Sequence, residues 1–172
     1  TLPADVIGRG GEQLRTILVN RGRSSGVAVN QPVITYEGLV GRVYKVQSHA
    51  SLVLKITDPN SAVGVFVAKT PDEASPEAVR GIVGGHQTLK LVLEPKGGVA
   101  IPKGLPVYAS STSTIYPPGL LIGWVSKPLN STYKIQRRLH VKSAVDFDHI
   151  QEVLILTGLH RDEALVLSEE LD

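Results

Sequence analysis

The fold of this chain is decided by the stretch PVITYEGLVGRVYKV at residues 32–46. Its first run, residues 33–36, consists of β-branched and aromatic residues, which are typical of a strand. Gly38 provides the positive φ that a tight reversal requires, and an extended pattern resumes after it. Gly41 interrupts the second run, and a glycine inside a strand indicates a bulge, a barrel corner or a close backbone approach. We therefore predict a hairpin in a sheet that curls.

Short extended runs continue on both sides of this hairpin. Upstream, residues 12–19 are compatible with a helix or a strand, and residues 27–29 predict a short strand. Downstream, residues 51–56 end in a turn where Asp58 can form an Asx turn and a proline stops the ladder. A further strand is predicted at residues 62–67. Beyond the polar segment that follows it, a second series of strands is predicted at residues 80–83, 89–93, 99–101, 106–109, 120–125, 133–145 and 153–156.

The composition favours an all-β protein. Seventeen glycines and eleven prolines in 172 residues predict many turns between short elements, and 42% hydrophobic residues suffice for a packed core. The polar segment at residues 69–77 reads as a linker or a long exposed loop. We predict two small β-barrel domains in tandem, residues 1–76 and 77–158, followed by an acidic tail, residues 159–172, that is helical or disordered.

The charge of the chain is weak and unevenly placed. The net charge is +2, but residues 162–172 hold five of the sixteen acids and no base. Lys134, Arg138, His140 and Lys142 alternate along one predicted strand, so one face is cationic. This face fits an anion-binding module or a solvated strand face, since lysine and arginine also prevent edge-to-edge pairing. The clustered basic residues of a nucleic-acid binder are absent, and no nucleic-acid partner is expected.

Two features bear on cellular location. The chain has no cysteine, which excludes disulfides and thiolate metal sites. It begins at Thr1 and contains no methionine, so we expect a processed or excised form, with any membrane span or coiled coil upstream. No apolar run approaches the roughly 20 residues of a membrane helix, and this piece is expected to be soluble.

No catalytic set is coherent. Residues 22–26, GRSSG, match the G-x-S-x-G nucleophile elbow around Ser24, but no helix follows the motif. His49 and Asp58 with Ser110 or Ser111 would supply the residue types of a triad, without an evident oxyanion hole. The histidines lack metal-ligand spacing. We predict no catalytic residues, no metal and no cofactor, with a serine hydrolase on a double β-barrel as the alternative.

Five glycine-framed pieces occur in a characteristic order. They are PVITYEGLVGRV at residues 32–43, LVLKITDPNSAVGV at 52–65, GIVGG at 81–85, IYPPGLLIGWV at 115–125 and SAVDFDHIQEVLIL at 143–156. In order and spacing they resemble the extracytoplasmic domain of the MreC family of rod-shape-determining proteins, over roughly residues 4–156.

This resemblance implies a pair of β-barrels, distantly like chymotrypsin but without its triad, in the periplasmic part of a single-span inner-membrane protein. It implies a non-enzymatic scaffold of the cell-wall elongation machinery that self-associates and contacts a class B penicillin-binding transpeptidase, together with MreD and MreB. The matching positions are expected to be framework residues: Gly38, Leu39, Gly41, Asp58, Tyr116, Pro117, Gly119, Leu120, Gly123 and Asp146.

A scaffold of this kind would bind through β-edges or barrel surfaces. Exposed aromatic side chains are enriched at such contacts. Tyr36, beside the hairpin turn, and Tyr133, in the cationic strand, are therefore the expected partner-binding residues.

Overall fold

The computed structural model describes residues 1–10, 15–86, 91–97, 100–128 and 138–158. Within these ranges the chain is built from β-strands, with one 3-10 turn at Arg23–Ser25, so the predicted all-β class is confirmed. In chain order the strands are β1 (Leu2–Arg9), β2 (Thr16–Val19), β3 (Pro32–Thr35), β4 (Gly38–Val46), β5 (Ser51–Lys55), β6 (Ala62–Val67), β7 (Val79–Gly85), β8 (Leu91–Pro95), β9 (Pro106–Ala109), β10 (Leu121–Pro128), β11 (Leu139–Ser143) and β12 (Glu152–Ile155).

The strands form two closed antiparallel barrels. The first barrel has the order β1-β12-β3-β4-β5-β2 and the second the order β10-β11-β8-β7-β6-β9. The predicted pair of barrels is therefore confirmed. Because closure pairs both edges of each sheet, the twelve described strands leave no long free edge for binding, and contacts through them use barrel surfaces or the ends of ladders.

Each barrel encloses its own apolar core, in which valine is the commonest residue. β-branched side chains suit this position because they pack well on a pleated surface. The first core contains Ala4, Ile17, Val19, Val27, Val33, Val40, Val43, Val53, Val145, Ile150, Val153 and Ile155. The second contains Leu39, Ile56, Val63, Val65, Val67, Val83, Leu91, Leu93, Val107, Ala109, Tyr116, Ile122, Val125, Leu139 and Val141.

The barrels are not consecutive in sequence, which corrects the predicted boundaries at residues 1–76 and 77–158. β6 already belongs to the second barrel, and β12, although it follows the whole second barrel, pairs with β1 and β3 of the first. Residues 69–77 connect the hairpin strands β6 and β7 instead of linking domains. Alternating patterns predict strands but not their partners, so the return of the chain to the first barrel was missed.

The hairpin at residues 32–46 joins the two cores. The first cross-strand pair of β3 and β4 is Thr35 with Gly38, and Tyr36 and Glu37 form the turn between them. Gly38 has a φ of 155°, and a Cβ there would lie 2.4 Å from the Leu121 carbonyl oxygen of the second barrel. Leu39 points into the second core while Val40, its neighbour, points into the first. The hairpin prediction is confirmed, and its turn lies between the barrels.

The β5–β6 connection forms a second contact between the barrels. The buried Asp58 carboxylate accepts hydrogen bonds from the backbone nitrogens of Asn60 (2.8 Å) and Arg15 (3.1 Å), which confirms the predicted Asx turn. Arg15, also buried, donates from Nη1 to the carbonyl oxygens of Thr57 and His86. A buried guanidinium thus ties the start of β2 to the connection and to the end of β7.

Two predicted strands do not form. Residues 27–29 lie in an irregular loop that leads to Asn30, which has a φ of 71°. In the predicted strand at 99–101, the described residues 100 and 101 are not in a ladder. Only Leu139–Ser143 of the predicted strand at 133–145 is a described strand, and residues 159–172, with the predicted tail, lie outside the described ranges.

Candidate functional site

Gly41 and Gly123, two of the expected framework residues, allow a similar close approach of strands, one in each barrel. A Cβ at Gly41 would lie 1.9 Å from the Leu54 carbonyl oxygen, and one at Gly123 would lie 2.0 Å from that of Lys142. Both distances are far too short for a side chain. In each barrel a glycine therefore lets one strand approach the backbone of its neighbour, and the ladders show register shifts beside both.

Tyr116 anchors a loop in the second core and is almost fully buried. Burial raises its pKa to about 12, although nearby Arg42 and a hydrogen bond with Ser61 act in the opposite direction. Arg42 belongs to β4 and Ser61 to the β5–β6 connection. The Tyr116 ring therefore lies in the second barrel with its polar surroundings supplied by the first barrel and by the connection.

The remaining framework candidates lie in turns or beside the second core. Gly119 has a φ of 89°, as expected for the turn after Tyr116, and its nitrogen donates to the Ala109 carbonyl oxygen. Leu120 packs against the second core, and Pro117 precedes it in the same loop. Asp146 accepts a hydrogen bond from the backbone nitrogen of Asp148 and contacts His149 at 2.8 Å. These contacts shape the return towards β12.

The structure brings together one pair of the catalytic candidates. Ser24 Oγ and His49 Nδ1 lie 3.0 Å apart at the surface. Asp58 is buried in the connection between the barrels, where it accepts backbone hydrogen bonds, and among the described residues no carboxylate is hydrogen-bonded to His49. The Ser24 turn is followed by a loop instead of a helix. The pair therefore lacks the orienting acid and the strand-turn-helix context of a hydrolase.

Ser110 and Ser111 hold the β6–β7 loop. The Ser110 hydroxyl and the Ser111 backbone nitrogen both donate to the carboxylate of Glu73. Burial alone would raise the pKa of Glu73, but these hydrogen bonds and nearby Arg80 outweigh it and hold the pKa below its ordinary value. These hydrogen bonds hold the loop in place. No described histidine contacts either serine, so neither has the base that a nucleophile requires.

The predicted cationic face is not gathered into one site. Arg138 Nε lies 2.8 Å from a carboxylate oxygen of Glu94, so its charge is paired. Lys142 is exposed opposite Trp124 on the neighbouring strand, and His140 is half-buried. Lys134 lies outside the described residues, as does Tyr133. The described part of this face therefore gives little support to the anion-binding alternative.

Tyr36 lines a surface groove of the first barrel. Its side chain is 97% exposed at the hairpin turn. The ladder between β3 and β12 ends at the Ile34–Leu154 pair, and the strands separate beyond it. The opening is a groove of about 350 Å³, which we call the seam groove, lined by Pro3, Ala4, Asp5, Thr35, Tyr36, Glu152, Val153 and Leu154.

Sequence reasoning found Tyr36 but missed the rest of the seam groove. Its wall is formed by β1 and β12, which lie about 150 residues apart in the chain and become neighbours only when the first barrel closes. No local pattern marks that closure. The alternation of exposed and buried residues in β12 would have shown which of its side chains face outward, but not which strand lies beside them.

The described ranges offer neither a metal site nor a membrane-spanning helix. No group of three or more potential ligands, whether histidine or carboxylate, is arranged to hold a metal ion in the described ranges. The same ranges contain no helix with the length and hydrophobicity required to cross a membrane.

Comparisons with known proteins identify the architecture. A family profile described as "Rod shape-determining protein MreC, barrel core" matches residues 6–157. The cell shape-determining protein MreC of Bacillus subtilis is 26% identical over 162 residues, covering 91% of this chain and 55% of that protein. The chain thus spans about half the length of that relative.

Solved structures share the fold. An MreC structure from Listeria monocytogenes, 24% identical, superposes with a TM-score of 0.76 over 90% of this chain and 73% of that one. MreC in a complex with penicillin-binding protein PBP2 from Helicobacter pylori is 14% identical, with a TM-score of 0.63 over 90% of this chain and 96% of that one. Because the family profile covers nearly all of the two barrels, the chain belongs to the MreC family of rod shape-determining proteins.

Proposed function

We propose that this chain is a non-enzymatic scaffold of the bacterial cell-wall elongation machinery, which maintains rod shape by binding a class B penicillin-binding transpeptidase. The observation that carries this proposal is the match of the MreC barrel core to residues 6–157. The Helicobacter pylori structure, a complex of MreC with PBP2, supports the choice of partner. Closed barrels without a coherent catalytic set in the described residues are consistent with a binding role.

The proposal extends to the rest of the machinery. The chain forms the extracytoplasmic part of a single-span inner-membrane protein, self-associates, and acts with MreD and MreB. Family membership supports these assignments. The framework residues keep the two barrels in a fixed geometry, and Tyr36 and Tyr133 contribute to partner contacts. For Tyr36 the support is its exposed ring beside a groove lined by both apolar and acidic side chains, a setting typical of interface aromatics.

Binding of the purified chain to a class B transpeptidase ectodomain tests this function. Biolayer interferometry should show saturable binding with a Kd of about 50 µM or tighter, and sedimentation velocity should show self-association in the same range. The ectodomain of a class A penicillin-binding protein serves as the matched control. Absence of both class B binding and self-association at these concentrations would contradict the proposal.

Labelling with a fluorophosphonate tests the hydrolase alternative separately. These reagents modify serines activated by a neighbouring base, and Ser24 lies 3.0 Å from His49. We expect no stoichiometric modification by mass spectrometry. Full labelling of Ser24, Ser110 or Ser111 would overturn the non-enzymatic assignment.

A further inference from the structure

The outward face of the seam groove consists of two cross-strand pairs of opposite character. Pro3 of β1 lies opposite Leu154 of β12, and Asp5 lies opposite Glu152. Because side chains two residues apart on a strand share one face, the apolar pair and the acidic pair are adjacent on the same surface. Tyr36 extends this surface from the turn of the neighbouring hairpin.

The acidic pair is unfavourable within the isolated chain. Like charges directly opposite on an antiparallel pair destabilise the sheet. Within the described residues, neither carboxylate forms an ion pair with a basic side chain. The salt bridges of these residues involve other carboxylates. Asp5 is approached by Asn20 Nδ2 at 3.3 Å. Arg21 contacts the same strand, but its Nε donates to the Pro3 carbonyl oxygen.

The charge pattern selects among possible occupants. A positive side chain from outside the chain would relieve the repulsion between Asp5 and Glu152. The segment at residues 162–172 has five acids and no base, which makes it a poor match for an acidic groove. A partner with a basic residue beside an apolar one has the required complementarity.

We propose that the seam groove binds an extended segment of a partner protein that carries an apolar side chain and, two residues away, a lysine or arginine. The apolar side chain packs against Pro3, Leu154 and Tyr36, and the cation lies between Asp5 and Glu152. The spacing follows from the strand period, because alternate residues of an extended segment face the same way. This inference rests on the proposed function, since it specifies the chemistry of the partner contact.

Titration with synthetic peptides tests the inference without the transpeptidase. The probe is a capped heptapeptide in which serine alternates with leucine, lysine and leucine, and the matched control has glutamate in place of lysine. In the 15N-labelled chain, the lysine peptide should shift the amide resonances of Asp5, Tyr36, Glu152, Val153 and Leu154. Equal shifts with both peptides, shifts confined to other residues, or no shifts at millimolar peptide would overturn the inference.

Substitution of one carboxylate identifies the charge contact. Glu152→Gln should weaken binding of the lysine peptide about fivefold at low salt, because one exposed ion pair is lost. Glu77→Gln, an exposed glutamate of the second barrel, is the control and should leave the affinity unchanged. Unchanged binding in Glu152→Gln would contradict the charge assignment.

The two proposals can fail independently. A transpeptidase that does not bind the wild-type chain, together with groove shifts from the lysine peptide, would refute the proposed function and support the groove chemistry. If the transpeptidase binds the wild type and Glu152→Gln equally well, the proposed function would be supported and the groove chemistry refuted. Shifts at the groove that depend on protein concentration without peptide would assign the groove to a second copy of the chain and overturn the inference.

Discussion

The two barrels have the same number of strands but differ in how the chain builds them. The second barrel is one continuous segment from β6 to β11, whereas the first is assembled from β1 to β5 and then completed by β12 after the second barrel. The pair between β1 and β12 joins residues about 150 positions apart. Closing so long a loop costs conformational entropy unless the intervening chain is already folded. We therefore expect the first barrel to depend on the second for its closure.

The proposed binding surface lies on the first barrel, whose closure we expect to depend on the second. The seam groove forms where β12 completes the first barrel and its ladder with β3 ends. A site of this kind exists only after both barrels have folded. We therefore expect partner binding at this groove to require the integrity of both barrels, and substitutions that affect one barrel at a time test this coupling.

The largest effect is expected for Gly123→Ala in the second barrel. Its Cβ would lie 2.0 Å from the Lys142 carbonyl oxygen, which requires the backbone of β10 or β11 to move. We expect a loss of about 4 kcal/mol or more in the free energy of unfolding. Hydrogen exchange should show loss of protection in both barrels. Protection that persists in β3 to β5 would refute the dependence of the first barrel on the second.

The matching substitution, Gly41→Ala, should damage the first barrel selectively. Its Cβ would lie 1.9 Å from the Leu54 carbonyl oxygen, so the β4–β5 pair is disrupted. Amide protection should fall most in β1 to β5 and less in β6 to β11, where part of the loss comes through Leu39 of β4, which is buried in the second core. Gly84→Ala is the control, because the nearest atom to its Cβ would be 3.7 Å away. An equal loss of protection in the two barrels of Gly41→Ala would contradict the asymmetry.

Alanine substitutions at Leu39 and Val40 should lower the stability less than the glycine substitutions do, and each should affect a different barrel. These neighbours point into different cores and are fully buried. Leu39→Ala should cost about 2–5 kcal/mol and weaken protection first in the second barrel. Val40→Ala should cost about 2 kcal/mol and act first on the first barrel. Native-state hydrogen exchange of the two variants checks the difference, and identical protection patterns would contradict the assignment of the two side chains.

The pH dependence of stability should report on Tyr116. Its folded pKa is raised to about 12, against about 10 in an unfolded chain, so its contribution is fully present below pH 10 and is lost as pH rises towards 12. Two pKa units correspond to a loss of about 2.7 kcal/mol at most. Urea unfolding between pH 9 and 11.5 should show a shallower decline in Tyr116→Phe. Equal slopes would contradict the burial of this hydroxyl.

Local structure was predictable where the deciding interaction is local. The hairpin turn needs a positive φ at Gly38, and Asp58 reaches the Asn60 nitrogen two residues away, so both could be read from the sequence. Residues 27–29 have strand-like side chains, but no neighbouring strand pairs with them. Side-chain type alone could not show this, since a strand is stable only with a partner.

The candidate site was predicted only in part for the same reason. Exposure of Tyr36 follows from its place beside a turn, and the sequence suggested it. Asp5 and Glu152 come together through the β1–β12 register, which no local pattern encodes. The close contact of Ser24 with His49 likewise depends on the packing of the Gly22 turn against residues 47–50.

Affinity for a class B transpeptidase ectodomain, measured in the Tyr36→Ala and Tyr44→Ala variants, tests the account most directly. Both tyrosines are exposed in the first barrel, but only Tyr36 lines the seam groove. We predict that Tyr36→Ala weakens binding about tenfold, as for an interface aromatic, while Tyr44→Ala changes it less than twofold. Equal affinities of the wild type and both variants would contradict a partner site at the seam groove.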